Sequence, residues 1–133
     1  MHKYYLVSGA LFGALAVMLG AFAAHKLKEI LQLDTLQIFE TAVKYQMYHA
    51  LFLLFIGTTT VIRQKLKKTI YNLTILGVVF FSGSIYLLAT NSLMPIDFKA
   101  IGFITPIGGA FLISAWFVLL FDLIKKKKKK NNL

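Results

Sequence analysis

The chemistry open to this chain gathers around His49, with His25, Ser82 and Ser84 as the residues that could act with it. Tyr45, Tyr48, His49 and Phe52 recur at i, i+3, i+4 and i+7, so on a helix they share one face. Imidazoles at His25 and His49, projected from facing helices, would suit axial ligation of a haem or a metal. The surrounding sequence argues otherwise. There is no cysteine, and no supporting carboxylate is evident close to His49 in the sequence. A backbone carbonyl or a neighbouring hydroxyl can satisfy the ring, so a hydrogen-bonded structural histidine is the expectation. Neither a cofactor nor a metal is expected.

Other chemistries meet similar objections. A nucleophile with its base could be assembled only from Ser82 or Ser84 with His49, and hydroxyls in apolar helices are usually packing or hydrogen-bonding groups. Catalysis is not expected. A proton-coupled transporter usually carries an acid inside the bilayer, where a charge costs several kcal/mol unless it has a task. The apolar blocks hold no Asp or Glu except Asp122, at an edge beside a lysine run. The reading that competes with a structural role is a small transporter, or a haem- or ligand-binding bundle, centred on His49.

The elements that position these residues follow from hydropathy. The chain has 133 residues and is 58% hydrophobic, with a mean hydropathy of +0.71. A soluble fold of this size could not hide so much apolar surface. The apolar residues fall into blocks at about 4–24, 45–62, 70–90 and 101–124, each near the ~20 residues that cross a bilayer. The expected fold class is therefore an all-α membrane protein, a bundle of four transmembrane helices forming one domain over residues 1–124. Residues 125–133 are expected to be a disordered basic tail. Asp34 reads as a helix N-cap, and an interfacial helix over about 35–44 should lead into the second span. The first span imitates a secretory signal, with Lys3 before it and Ala21-Phe22-Ala23 as a cleavage-like site. Its apolar run exceeds the roughly 7–15 residues of a signal core, so it is expected to be retained.

Charge sets an orientation. The formal charge is +10, yet the basic residues cluster beside apolar blocks, at 63–68 and in the run 125–130. That is the pattern of topology signals and of contacts with anionic headgroups, not of nucleic-acid binding. Eleven basic residues fall at the amino end, the second loop and the tail, against four in the other two loops. The positive-inside rule then places both termini in the cytoplasm.

With that orientation, His25, Tyr45, Gln46, His49, Ser82, Ser84, Tyr86 and Thr105 fall in the outer half of the bilayer as one polar layer. Gly9, Gly13, Gly20, Gly83, Gly108 and Gly109 read as helix-packing positions, the first two forming a GxxxG. The implied partners are membrane lipids and other membrane proteins, or a second copy of the chain.

Four segments also carry a resemblance: GAFAAHKL at 20–27, FETAVKYQMYHALFLL at 39–54, FSGSIYLLA at 81–89, and TPIGG at 105–109 followed by Trp116. In order and spacing they resemble the signature stretches of domain-of-unknown-function family 423. These are small membrane proteins found widely in bacteria, with eukaryotic relatives named transmembrane protein 256. Ala23 and Ala115 stand where such proteins often have glycine. The resemblance implies a multi-pass protein of a bacterial cytoplasmic membrane and brings no activity with it. The expected role is that of an accessory or scaffold protein.

Overall fold

The computed structural model describes the backbone of residues 3–131 and the side chains of residues 3–125, and all its regular structure is helical. Helix α1 runs Lys3–Ile30, α2 Leu33–Thr58, α3 Gln64–Ala89 and α4 Ile104–Asn131. Short 3₁₀ turns at Asn91–Leu93 and Lys99–Phe103 link α3 to α4. α1 packs along α2, α3 packs along α4, and α2 meets α3 to join the two pairs.

Among the described residues three helical stretches are long and apolar enough to cross a membrane: Lys3–Ile30, Gln64–Ala89 and Lys99–Lys125. α2 is not among them. Asp34, Glu40 and Lys44 lie in its first half, and its uncharged stretch from Tyr45 to Thr58 is only about 21 Å long. The expected second span over 45–62 is thus shortened. The helix stops at Thr58, where Thr59 turns extended and its N–H caps the Phe55 carbonyl. The segment expected as an interfacial lead-in, about 35–44, is the first half of this continuous helix.

Asp34 also shifts. Gln32 is the N-cap, and Asp34 lies inside the first turn with its carboxylate accepting from Thr35 N–H at 2.8 Å. It still sits where the helix dipole favours an acid. In α4, Pro106 falls in the first turn, where its missing N–H has no partner to lose. The helical backbone of α4 continues through the lysine run to Asn131. The expected tail, 125–133, thus begins within this helix; the side chains of 126–131, and Asn132 and Leu133 entirely, lie outside the described residues.

Two of the helices contain a π-helical turn, Ala23–Leu27 in α1 and Val79–Gly83 in α3. Each changes the phase of the face that follows it. Two apolar clusters hold the bundle together. One joins Tyr5, Phe52, Ile56, Ile70 and Leu119 near the α2–α3 turn, and the other joins Ala23, Leu27, Leu36, Phe39 and Ala89 at the opposite end. Outside them the bundle is covered by large exposed apolar side chains, Val7, Met18, Leu51 and Phe121 among them. A surface this apolar suits lipid better than water.

Candidate functional site

Between the two apolar clusters runs a buried polar seam, and Gln46 is its centre. Its carboxamide donates from Nε2 to the Phe12 carbonyl of α1 at 2.8 Å. Its Oε1 accepts from the Tyr86 hydroxyl of α3 at 2.7 Å. One side chain of α2 therefore ties three helices, and both ends of its amide are fixed by partner chemistry. Beside it, Ser82 Oγ donates to the Ala42 carbonyl at 2.8 Å, a second link between α3 and α2. Ser84 and Thr105 share a hydroxyl–hydroxyl bond at 2.6 Å, joining α3 to α4. The π turn at Val79–Gly83 precedes Ser84, so two serines only two residues apart can bond to different neighbouring helices.

His49 is buried on the same helix, one turn further on. Its Nδ1 lies 2.7 Å from the Tyr45 carbonyl, which can only accept. Its Nε2 lies 3.1 Å from the Trp116 indole nitrogen, which can only donate. These partners admit one ring proton, on Nδ1. The Nε2 lone pair, which a haem iron or a metal would need, is taken by the indole. Phe52 stacks on Trp116 with ring centroids 4.2 Å apart and holds the indole in place.

The remaining expected residues distribute unevenly. His25 stands apart from the seam: it is exposed, and its Nδ1 bonds to the Ala21 carbonyl of its own helix at 2.8 Å. The π turn around it keeps Ala23 and Leu27 in the core and leaves the imidazole outside. His25 and His49 therefore do not form a paired-imidazole site. Tyr45 and Tyr48 are exposed while His49 and Phe52 are buried, so the expected common face straddles the edge of the bundle. Ser82 and Ser84 bond to a carbonyl and a hydroxyl, and His49 is engaged at both nitrogens, so no serine–histidine pair forms. Among the described residues no three His, Cys, Asp or Glu side chains approach one another as metal ligands would.

The glycines divide by geometry. A Cβ on Gly9 would stand 2.9 Å from the Ala50 carbonyl oxygen, and one on Gly108 would stand 2.2 Å from the Phe81 backbone nitrogen. Gly13, Gly20 and Gly109 have room for ordinary contact, at 3.7, 3.4 and 3.6 Å from their nearest atoms. Gly83 faces open space and is not a packing glycine, because the π turn aims its neighbours at the core instead. Two close approaches had no motif to announce them. Gly57 lies against Tyr5 and Leu6, and Gly77 lies against Leu112.

The other end of the bundle holds a pairing that the sequence reading did not make. Asp122 is buried, and Arg63 Nε donates to its Oδ1 at 2.8 Å. Arg63 N–H approaches Oδ2 at 3.4 Å, so the acid of α4 fastens the turn that begins α3. Lys67 is also buried and donates from Nζ to the Thr59 carbonyl, past the end of α2. The signal available was an acid flanked by bases on another element, with nothing in the sequence to match the partners.

A family described as protein of unknown function, DUF423, matches residues 19–109. The chain belongs to this family. It is 40% identical over 123 residues to a UPF0382 membrane protein of Staphylococcus saprophyticus, covering 92% of this chain and 98% of that one. It is 35% identical to one of Haemophilus influenzae, covering 96% and 98%. With the UPF0382 inner membrane protein YgdD of Escherichia coli it shares 31% identity, covering 96% and 94%. No solved structure matches. The DUF423 match spans His25, the polar seam on α2 and α3, and the start of α4 through Gly109, while Trp116 lies beyond it. As a DUF423 member related to UPF0382 membrane proteins over nearly its whole length, the chain is a membrane protein.

Proposed function

We propose that this protein is a four-span accessory or scaffold protein of the bacterial cytoplasmic membrane, non-enzymatic, with both termini in the cytoplasm. It would pack against other membrane proteins, a second copy of itself, or lipid through its apolar outer faces. One observation carries the reading. Every polar side chain of the seam is engaged by another group of the same chain, and no buried polar side-chain atom is left unpartnered among the described residues. Reactive sites keep a base, a nucleophile or a ligand position open, whereas a closed network fixes the register of a bundle. The charge asymmetry supports the orientation, and the name of the E. coli relative supports the inner membrane. In this reading α2 is the fourth span, its charged first half standing at the outer face.

A second reading has one observation in its favour. An apolar cleft of about 320 Å³ lies between α2, α3 and α4, lined by Tyr45, His49, Phe81, Leu112, Ile113 and Trp116. It would admit a small apolar ligand beside His49. Purification from native membranes in mild detergent, with mass spectrometry and an absorption spectrum of what co-elutes, separates the two. A stoichiometric protein partner is expected. A lone protein with a Soret band or a bound small molecule would overturn the accessory role.

A further inference from the structure

Lys67 is 94% buried by its 6% relative exposure, and no carboxylate pairs with it among the described residues. A buried ammonium without a counter-charge is costly. Its bond to the Thr59 carbonyl, at the negative end of the α2 dipole, offsets part of that cost. This uses one of three ammonium protons. Lys67 also lines a cavity of about 230 Å³, bounded by Tyr5 of α1, Gly57, Thr58, Thr59 and Thr60 at the end of α2, and Gln64 in the first turn of α3. The volume is below the roughly 300–1,000 Å³ of sites for drug-sized ligands. The lining is rich in donors: the ammonium, the hydroxyls of Thr59 and Thr60, and the Gln64 carboxamide.

We infer that this cavity, at the α2–α3 turn, is a binding site for a phosphate group, with Lys67 as its charge and Thr59, Thr60 and Gln64 as its hydrogen-bond donors. Phosphate supplies the missing negative charge and the acceptor oxygens that these donors match. Arg63, Lys65 and Lys68 are exposed around the same turn and raise the local concentration of anions. The phosphate can belong to an anionic lipid headgroup or be free in solution. The lipid source rests on the four-span reading, which sets the turn at the cytoplasmic face of the membrane. The free-phosphate source does not.

The test uses the full-length protein in mild non-ionic detergent. Phosphatidylglycerol binding is followed by native mass spectrometry, and inorganic phosphate by thermal shift and by competition with the lipid. Saturable binding of either probe at one site is expected. Lys67→Gln should weaken it about ten-fold or more, the worth of a charge-assisted hydrogen bond. Lys65→Gln and Lys68→Gln remove the same charge from exposed side chains and should change it less than about two-fold. Gln64→Glu is the second probe, because position 64 is exposed and an acid in a first helical turn does not harm the helix. It should repel the anion and lower affinity while the melting temperature holds, and it decides the matter if Lys67→Gln fails to fold. Phosphate that displaces the lipid marks the phosphate itself as the ligand, and lipid binding that phosphate cannot displace marks the headgroup. Both outcomes support the site. It is overturned if neither probe saturates, if the three lysine variants lose binding equally, or if Gln64→Glu binds as well as the parent. Topology mapping that put the turn outside the cytoplasm would overturn the span reading and leave the inorganic-phosphate result standing.

Discussion

At the level of single residues, His49 is held by two partners that can each do only one thing, a carbonyl and an indole N–H, and this makes its role measurable. Trp116 is the sole tryptophan, so its emission reports on the bond it donates to His49. His49→Phe should keep the ring volume, shift that emission, and lower stability in detergent by about 1–3 kcal/mol, the cost of an indole N–H left without an acceptor. An unchanged spectrum with unchanged stability would mean that the pair does not form. Asp97, in the turn before α4, gives a pH prediction. The Lys99 backbone N–H at 3.0 Å and the Asn91 amide at 3.2 Å hold its carboxyl below the usual carboxylate range. A pKa lower in the folded chain than in the unfolded one adds stability above the ordinary value near ~3.9. That stability is lost as pH falls through the folded value. Hydrogen exchange of residues 91–99 should therefore stay slow at neutral pH, corrected for intrinsic rates, and rise below about pH 4. Asp97→Asn should remove the pH step.

At the level of elements, α3 and α4 meet where Gly108 lies against the backbone of the π turn at Phe80 and Phe81. A methyl there cannot be accommodated by a rotamer change, because the obstacle is main chain. Gly108→Ala should cost about 1–3 kcal/mol or more, by the measure of overpacked cores. Gly83→Ala fills open space and gains helix propensity, so it should be neutral or stabilising by up to about 1 kcal/mol. A thermal-shift series in one detergent checks both, and equal losses would contradict the close approach. The two glycines also show what could be read from sequence. Apolar blocks, the small-residue stripe of α1 and the polar residues of α2 were legible because helical periodicity encodes them locally. Gly83 was misread because a π turn changes the face by one residue and leaves no mark in composition. The end of α2 at Thr58 was missed because Thr59–Ile62 are apolar or small enough to continue a span, and the contacts that hold the turn are tertiary: Ile62 packs into the core, Asp122 pairs with Arg63, and Lys67 bonds to the Thr59 carbonyl. Arg63 and Asp122 were visible as neighbours of basic runs. Their pairing across 59 positions is a product of the fold.

At the level of the whole molecule, the question is which way round the bundle sits, and the distribution of charge argues one answer. Arg63, Lys65, Lys67 and Lys68 surround the α2–α3 turn, and Lys125 follows the buried Asp122 at the same end of the bundle. The opposite end carries Glu29, Asp34, Glu40 and Asp97 around the α1–α2 and α3–α4 connections. The proposed topology has the basic end in the cytoplasm, the side on which Lys and Arg are retained during insertion. It requires α2 to cross although its uncharged stretch is shorter than a full span. In that topology the crossing would lean on protein instead of meeting lipid alone, since Gln46 bonds to α1 and α3, and Leu36 and Phe39 of the charged half pack with Ala23, Leu27 and Ala89. The chain has no cysteine, so single-cysteine reporters read out without background. In intact cells a membrane-impermeant maleimide should label Ser92→Cys in the α3–α4 turn and leave Lys68→Cys unlabelled until the membrane is opened. Were α2 to lie on one face instead of crossing, α1 and α3 would enter from opposite sides. The amino end and Lys68 would then report from different compartments, and a cysteine at Lys3 decides between the two arrangements.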